Sequence, residues 1–363
     1  VCYYLHFYNY FCIMSLIEDA TPNITPISSV GEFRLIEKLT KDFKCSNKDT
    51  VKGVGDDCAV IKSGKSLKLL STDMLVEGVH FDLAYTPLKH LGYKAMTVNI
   101  SDICAMNGIP KQATVSIAIS NRFSLEAIEE LYLGIKLACE KYKVDLVGGD
   151  TTSSTSGMVI SISILGEVKA NKITYRKGAK PNDLLVVTGD LGAAYFGLQI
   201  LQREKEIFKD NPKVQPDLSG YDYALQRQLK PEAPLKYQKI LNDLGIIPTS
   251  MIDISDGLSS EALHISKASN VGVCLHEEKI PVDHTVMNMA SDFNLNPIAF
   301  ALSGGEDYEL LFSINQKDYE KLKKDPDFTI VGYVTDISEG NNFIANDGSS
   351  HKLIAQGWDS TKV

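Results

Sequence analysis

The stretch Leu69-Leu70-Ser71-Thr72-Asp73, read together with Asn99-Ile100-Ser101-Asp102 further on, decides the fold. It opens as an apolar run suited to a strand and stops on two hydroxyls and a carboxylate. His80 follows, and Thr86-Pro87 then opens a helical pattern with Leu88, Leu91, Ala95, Val98 and Ile103 on its apolar side. Asn99 and Asp102 are three positions apart, which makes them neighbours on one helix face. A carboxylate in so apolar a segment is costly to bury unless something positive meets it.

Outward from this stretch, apolar runs and glycine turns alternate. Gly31 to Phe43 reads as a short helix with Phe33, Leu35, Ile36 and Leu39 as its apolar set. Gly53-Val54-Gly55-Asp56-Asp57-Cys58-Ala59-Val60-Ile61 is a glycine turn running into a strand. The central helix is expected to stop at Asn107-Gly108, with Pro110 beyond. Ala113 to Ile119 alternates as a strand, and Ser124 caps a helix carrying Ile128, Leu131, Tyr132, Ile135, Ala138 and Tyr142. Val144 to Val147 reads as a short strand ending in Gly148-Gly149-Asp150-Thr151-Thr152, and Met158 to Val168 as a long one. After the turn Lys177-Gly178-Ala179-Lys180-Pro181 come a strand (Leu184 to Val187), a glycine loop and a helix from Ala193 to Gln202. Arg203 to Gly220, charged and with two prolines, reads as a surface excursion. Ile252 to Ile254 is apolar, Ser255-Asp256-Gly257 leads into a helix from Leu258 to Ala268, and strands close the tail around Trp358. Interleaved helices and strands give an α/β or α+β class.

The chain has 363 residues, which favours two domains. The turn at Lys177–Pro181 marks the passage between them: an extension over 1–30, a domain over 31–170 and a second over 171–363. The extension is expected to be disordered. Val1 to Cys12 is aromatic and lacks Lys and Arg, unlike a signal peptide, and is too short for a membrane span; Met14 is the expected true start. A formal net charge of −9 argues against a nucleic-acid partner. It also means that an anionic substrate would need cations between it and the protein. The seven cysteines include no CxxC pair and are odd in number, which reads as free thiols in a reducing compartment.

Asp57, Asp73, Asp102, Asp150, Asp253 and Asp256 all end or interrupt apolar runs. Singly, each has an ordinary reading: Asp57 and Asp150 beside glycines suit turns, and Asp256 suits a helix cap. Together, several with Ser or Thr within two positions, they suit hard divalent cations, which prefer carboxylate, hydroxyl and carbonyl oxygens. A multi-metal phosphate site follows. Other nucleotide signatures are missing. Ala59 to Ser66 lacks the first glycine of a phosphate loop, no Gly-x-Gly-x-x-Gly opens a helix after a strand, and there is no kinase-type His-Arg-Asp loop. His80 and His90 are too isolated for zinc ligands.

Gly53-Val-Gly-Asp-Asp-Cys-Ala, Ser71-Thr-Asp with Gly78-Val-His80, Asn99-Ile-Ser-Asp102, Val147-Gly-Gly-Asp-Thr-Thr152, Asp253-Ile-Ser-Asp-Gly-Leu258 and Ser303-Gly-Gly-Glu-Asp-Tyr-Glu-Leu310 stand in this order. As an ordered set, over about residues 31 to 360, the chain strongly resembles the thiamine-monophosphate kinases, which share the fold of aminoimidazole ribonucleotide synthetase. The resemblance implies a two-domain fold of that type: an amino-terminal sheet domain that pairs in a homodimer, and a carboxy-terminal α/β domain completing the active site. It implies ATP-dependent phosphorylation of thiamine monophosphate to thiamine diphosphate, in the cytoplasm, with several magnesium ions. By position it makes Asp57, Ser71, Thr72, Asp73, Asp102, Asp150 and Asp253 magnesium ligands and puts Asp256 at a further metal. Gly149, Arg176 and Ser255 would contact ATP, and His80, Glu306 and Trp358 the thiamine substrate. The family often has tyrosine where Trp358 stands, and an aromatic face suits a cationic thiazolium ring. No general base is assigned.

Other ATP-using enzymes of the same fold are the nearest rivals: the aminoimidazole ribonucleotide, selenophosphate and hydrogenase-maturation enzymes. Selenophosphate synthesis would want a reactive Cys in a glycine-rich setting, which Cys12 and Cys45 lack. A non-catalytic metal- or nucleotide-binding protein that keeps the acids for stability is a rival of another class.

Overall fold

The computed structural model describes residues 29–293 and 295–355. Residues 29–44 belong to one unit, which holds helix α1 (Glu32–Thr40) with Phe33, Ile36 and Leu39 spaced along one side. A second unit begins at Cys45 and contains everything else described here.

The first sheet of that unit takes its strands from β1 (Thr50–Lys52), β2 (Ala59–Ser63), β3 (Ser66–Val76), β4 (Ile109–Ile119), β5 (Asp145–Ser153) and β6 (Val159–Lys169). Their spatial order is β1-β2-β3-β6-β4-β5, with only the β4–β5 pair parallel. Strand β3 is the run that opened the sequence analysis, and it pairs with β6 along its whole length. Helices α2 (Leu88–Ala105) and α3 (Leu125–Tyr142) pack together. Gly92 and Gly134 permit the close approach: a Cβ at either would come within 1.9 Å of the facing helix's backbone oxygen, Leu131 or Lys89. Leu69, Met96, Ile100, Ile103, Ile160, Ile162 and Ile164 form the core beneath them. As expected, α2 stops at Asn107, which takes a φ of 59°, while Gly108 N–H closes back on the Ile103 carbonyl at 2.9 Å.

The second sheet comprises β7 (Leu184–Thr188), β8 (Ser250–Asp253), β9 (Gly272–His276), β10 (Leu310–Ile314), β11 (Phe328–Thr335), β12 (Asn341–Ile344) and β13 (Ser350–Lys352), in the order β13-β12-β9-β11-β7-β10-β8. Both faces are covered, so the central strands are apolar at successive positions rather than at alternate ones. Leu185, Val187 and Ile252 join the core under helix α7 (Leu258–Ser269). Val186, Met251 and Phe312 join the core under α6 (Leu235–Asp243). Ala105, at the end of α2, belongs to this last core, and Gln238 of α6 donates to the Cys104 carbonyl at 3.3 Å. Helix α2 therefore ties the two sheets together.

The strand read from Ala113 begins earlier, at Ile109, and two boundaries differ more widely from the sequence reading. Helix α4 (Ala193–Asp210) continues through the charged run after Gln202, because Arg, Glu and Lys are good helix formers and the prolines come only at 212 and 216. The remainder folds back, with Asp217 N–H donating to Glu204 at 3.0 Å. Strand β5 extends to Ser153, so Gly149 and Asp150 lie inside an edge strand, paired with Val115 and Ser116 of β4, rather than in a loop. Ladder pairing there overrides the weak strand preference of Gly and Asp. The other helices of this unit are α5 (Asp222–Leu229), α8 (His284–Asp292), α9 (Pro297–Ser303) and the single turn α10 (Tyr319–Leu322).

Candidate active site

Four segments meet at the α2 end of the first sheet. Strand alternation turns Ser71 and Asp73 to the α2 side of β3, and α2 brings Asn99, Ser101 and Asp102 up to them. The Asn99 carboxamide accepts from Asp73 N–H at 3.1 Å and donates to the Ala95 carbonyl at 3.0 Å, locking helix to strand. Ser71 Oγ donates to Asp102, and Ser101 Oγ donates to Asp253 at 2.6 Å. The glycine turn before β2 supplies Asp57, and Asp253 is the last residue of β8 in the other sheet. One carboxylate oxygen each from Asp57, Asp102 and Asp253 lies within 4.8 Å of the others. The Asp73 carboxyl lies beside that of Asp102, close enough for the charge of one to oppose ionisation of the other.

The electrostatics follow from this crowding. Burial first, then the charges of Asp73, Asp253 and Asp57, hold the Asp102 carboxyl well above its ordinary range. Burial lifts Asp73 to about 6, and burial with the Asp57 charge lifts Asp253 to about 7. The one cation bonded to the cluster among the described residues is Arg176, whose Nε and Nη2 both donate to Asp57 Oδ1 at 3.1 and 2.6 Å. Burial opposes its charge, but the carboxylates of Asp57, Asp253 and Asp56 together outweigh burial and keep the guanidinium firmly protonated. Its backbone N–H donates to Asp56 Oδ1 at 3.1 Å, and burial raises that carboxyl to about 6. Asp57 Oδ2 is buried with no hydrogen-bond partner. Converging acids, one orphaned carboxylate oxygen and adjacent hydroxyls form the donor set of a hard divalent cation.

The remaining expected site residues lie as follows. Thr72 is on the opposite face of β3, where its hydroxyl donates to the Ile162 carbonyl at 3.1 Å and accepts from Ser163 at 3.1 Å, so it does not join the acids. Gly149 and Asp150 are exposed on edge strand β5, with β6 and β4 between them and β3, a separation of about 14 Å at about 4.8 Å per strand. A Cβ on Gly149 would come within 1.9 Å of the Val115 carbonyl, so only glycine fits there. Ser255 and Asp256 follow Asp253 after Ile254, and both their backbone N–H groups donate to Oε1 of Glu261, at 3.0 and 2.8 Å. Half-buried His80, just past β3, accepts from Val76 N–H at Nδ1, 3.1 Å. Glu306 sits in the loop after α9 and accepts from Lys94 at 2.8 Å and from Gln228 Nε2 at 2.7 Å. Trp358 lies outside the described residues.

That loop is strained and tightly held. Glu306 and Tyr308 take φ values of 59° and 51°, a region non-glycine residues seldom adopt. Glu306 N–H donates to the Ser255 carbonyl at 2.7 Å and Tyr308 N–H to the Ile254 carbonyl at 2.9 Å, while Ile254 N–H returns a bond to Glu309 at 2.7 Å. The acid-bearing loop and the Glu306 loop are thereby zipped together. Half-buried Arg227 braces them through Glu309 (2.9 Å) and the Asp307 carbonyl (3.3 Å).

The sequence reading passed over Lys94, Glu261 and Ser101. A signal for Lys94 was present: it is a charge on the apolar side of α2, the same oddity that picked out Asp102.

A model of the AIR synthase related protein N-terminal domain matches residues 55–168, which span β2 to β6. The two-sheet architecture, with acids converging from both sheets, is of the AIR-synthase-related class. Thiamine-monophosphate kinase of Bacillus subtilis (strain 168) is 32% identical over 340 residues, covering 92% of this chain and all of that protein. The Aquifex aeolicus (strain VF5) thiamine-monophosphate kinase is 34% identical over 333 residues, covering 92% and 98%. The solved complex of AaThiL with AMPPCP and TMP superposes with a TM-score of 0.80 at 31% identity, covering 94% of this chain and 100% of that one. The chain belongs to the thiamine-monophosphate kinase family.

Proposed function

We propose that this chain transfers the γ-phosphoryl group of ATP to the phosphate of thiamine monophosphate, giving thiamine diphosphate and ADP. The observation that carries the proposal is the convergence of Asp57, Asp73, Asp102 and Asp253 from segments far apart in sequence, with Arg176 beside them. The relatives' shared name and the TMP and AMPPCP of the AaThiL complex support the choice of substrates.

The acid cluster fits magnesium: its donors are hard oxygens, and Asp57 Oδ2 is buried without a partner. Asp57, Ser71, Asp73, Asp102 and Asp253 would hold the ions and Asp256 a further one, while the Thr72 hydroxyl and Asp150 stand apart from that cluster. Bound magnesium supplies charge neutralisation between the two phosphate groups and alignment for in-line displacement. The residues of the chain then orient the reactants. Arg176, Gly149 and Ser255 contact ATP; His80, Glu306 and Trp358 contact the thiamine end. The nucleophile is a phosphate oxygen, already ionised at neutral pH because a monoester's second pKa is about 6, so no side chain has to remove a proton. As that oxygen bonds to the γ-phosphorus, the bond to the ADP oxygen breaks, and charge passes to ADP.

We also propose domains over 31–170 and 171–363, after an extension over 1–30, a homodimer formed through the amino-terminal sheet, and a cytoplasmic location. Among the described residues no helix is long and apolar enough to cross a membrane. The direct test is to incubate the purified protein with ATP, magnesium and thiamine monophosphate. Thiamine diphosphate and ADP in equal amounts are expected; ATP consumed without thiamine diphosphate would reject the proposal.

A further inference from the structure

We propose that Lys94 is a positioning residue: its ammonium, together with the Gln228 side chain, fixes the Glu306 carboxylate in the orientation that receives the thiamine end of the substrate. The inference rests on the reading that Glu306 contacts thiamine monophosphate.

A lysine is among the residues least often buried, because removing an ammonium from water is costly unless an acid and further acceptors meet it. The Lys94 side chain is only 4% exposed, on the inner side of α2. It finds two acceptors, Glu306 Oε1 at 2.8 Å and the Gln228 carbonyl at 3.1 Å. Glu306, by contrast, is 26% exposed. The cation thus lies behind the carboxylate, and the carboxylate faces outward. Gln228 Nε2 takes the other oxygen at 2.7 Å, so both carboxylate oxygens are fixed from the protein side.

The backbone is arranged around the same pair. Glu306 is held at a φ of 59° by its N–H bond to Ser255, and a Cβ on the preceding Gly305 would lie 2.4 Å from the Ser255 carbonyl. A carboxylate held in strained backbone, anchored at both oxygens and still partly exposed, is organised for contact rather than for packing. Lys94 and Asp102 stand on one continuous helix, about 12 Å apart along its axis at about 1.5 Å per residue. α2 therefore fixes the spacing between the Glu306 anchor and the acid cluster, the two ends between which a phosphorylated substrate must lie.

A double-mutant cycle tests this with the full chain, measuring thiamine diphosphate formation. Lys94→Met is expected to raise KM for thiamine monophosphate by about tenfold or more while KM for ATP stays within about twofold, as removal of one substrate contact should. In a Glu306→Gln background the same substitution should raise KM no further, because the group it positions has lost its charge. Gln228→Leu should shift KM in the same direction, and this variant decides the matter if Lys94→Met fails to fold. Additive effects of Lys94→Met and Glu306→Gln on KM, or equal losses toward both substrates, would overturn the inference while leaving the kinase reading intact. Wild-type protein that forms no thiamine diphosphate would instead overturn the kinase reading, and this inference with it.

Discussion

Asp253→Asn should make the metal-free protein more stable and the enzyme nearly inactive. In the folded chain the Asp253 carboxyl is pushed up from 3.8 to about 7, by burial and then by the Asp57 charge. A raised folded-state value means that the folded state holds the proton more tightly than the unfolded chain does. Its contribution is full below about pH 4 and is lost as pH rises through 7. By pH 8 the ionised group carries a penalty of about 4 kcal/mol, taking roughly three units at about 1.4 kcal/mol each. Asparagine keeps an acceptor for Ser101 Oγ, which now bonds Asp253 at 2.6 Å, and removes one charge from the crowd around Asp102. With Asp57, Asp73 and Asp102 still in place, part of the penalty remains, so the expected gain is about 1–3 kcal/mol, or about 2–4 °C in Tm for each kcal/mol. The assay is thermal or urea unfolding of metal-free protein at pH 8 with EDTA, beside turnover measured in magnesium. Turnover should fall by about a hundredfold or more, because a cation ligand has gone. A variant no more stable than the parent without metal, or one with near-normal turnover, would refute the reasoning.

Magnesium should raise Tm at pH 8 more than at pH 5, and EDTA should reverse it, because Asp73 and Asp253 carry protons below about 6 and 7 and compete with the ion; equal shifts at both pH values would count against the cluster as the binding site. Asp73→Asn and Asp102→Asn should each cut turnover by orders of magnitude with an unchanged far-UV circular dichroism spectrum, and near-normal rates in either would remove them from the machinery. Gly134→Val should abolish soluble expression or cost more than about 3 kcal/mol in urea unfolding, since its Cβ would meet the Lys89 carbonyl at 1.9 Å; a variant of normal stability would show that α2 and α3 can separate.

What the sequence revealed, it revealed through period and through misplaced charge. β6 and α3 carry clean two- and 3.6-residue patterns, while α2 is apolar or small on most sides because it is buried between the two sheets. The acids stood out because each interrupts an apolar run, and Asp57, Asp73, Asp102 and Asp253 do meet in space. β5 was cut short because Gly148 to Thr152 has no apolar pattern; only its pairing with β4 makes it a strand. Thr72 was grouped with its neighbours by sequence, yet the two-residue period of β3 sends its hydroxyl to the other face, onto Ser163. Arg176 entered through the family resemblance alone, since its grip on Asp57 joins residues with no local signature. Lys94 is a base, whereas the oddity that stood out was an acid in an apolar run; Glu261 lies in the first turn of α7, where an acid is ordinary.

Phosphoryl transfer here depends on the four aspartates holding cations between two phosphate groups. The most direct measurement is anomalous diffraction from crystals of the full chain grown with Mn2+ in place of magnesium and with a non-hydrolysable ATP analogue. Manganese peaks within about 2.3 Å of oxygens of Asp57, Asp102 and Asp253 are predicted, at the distances hard cations keep from carboxylates. Nucleotide density with no manganese at these carboxylates would contradict it.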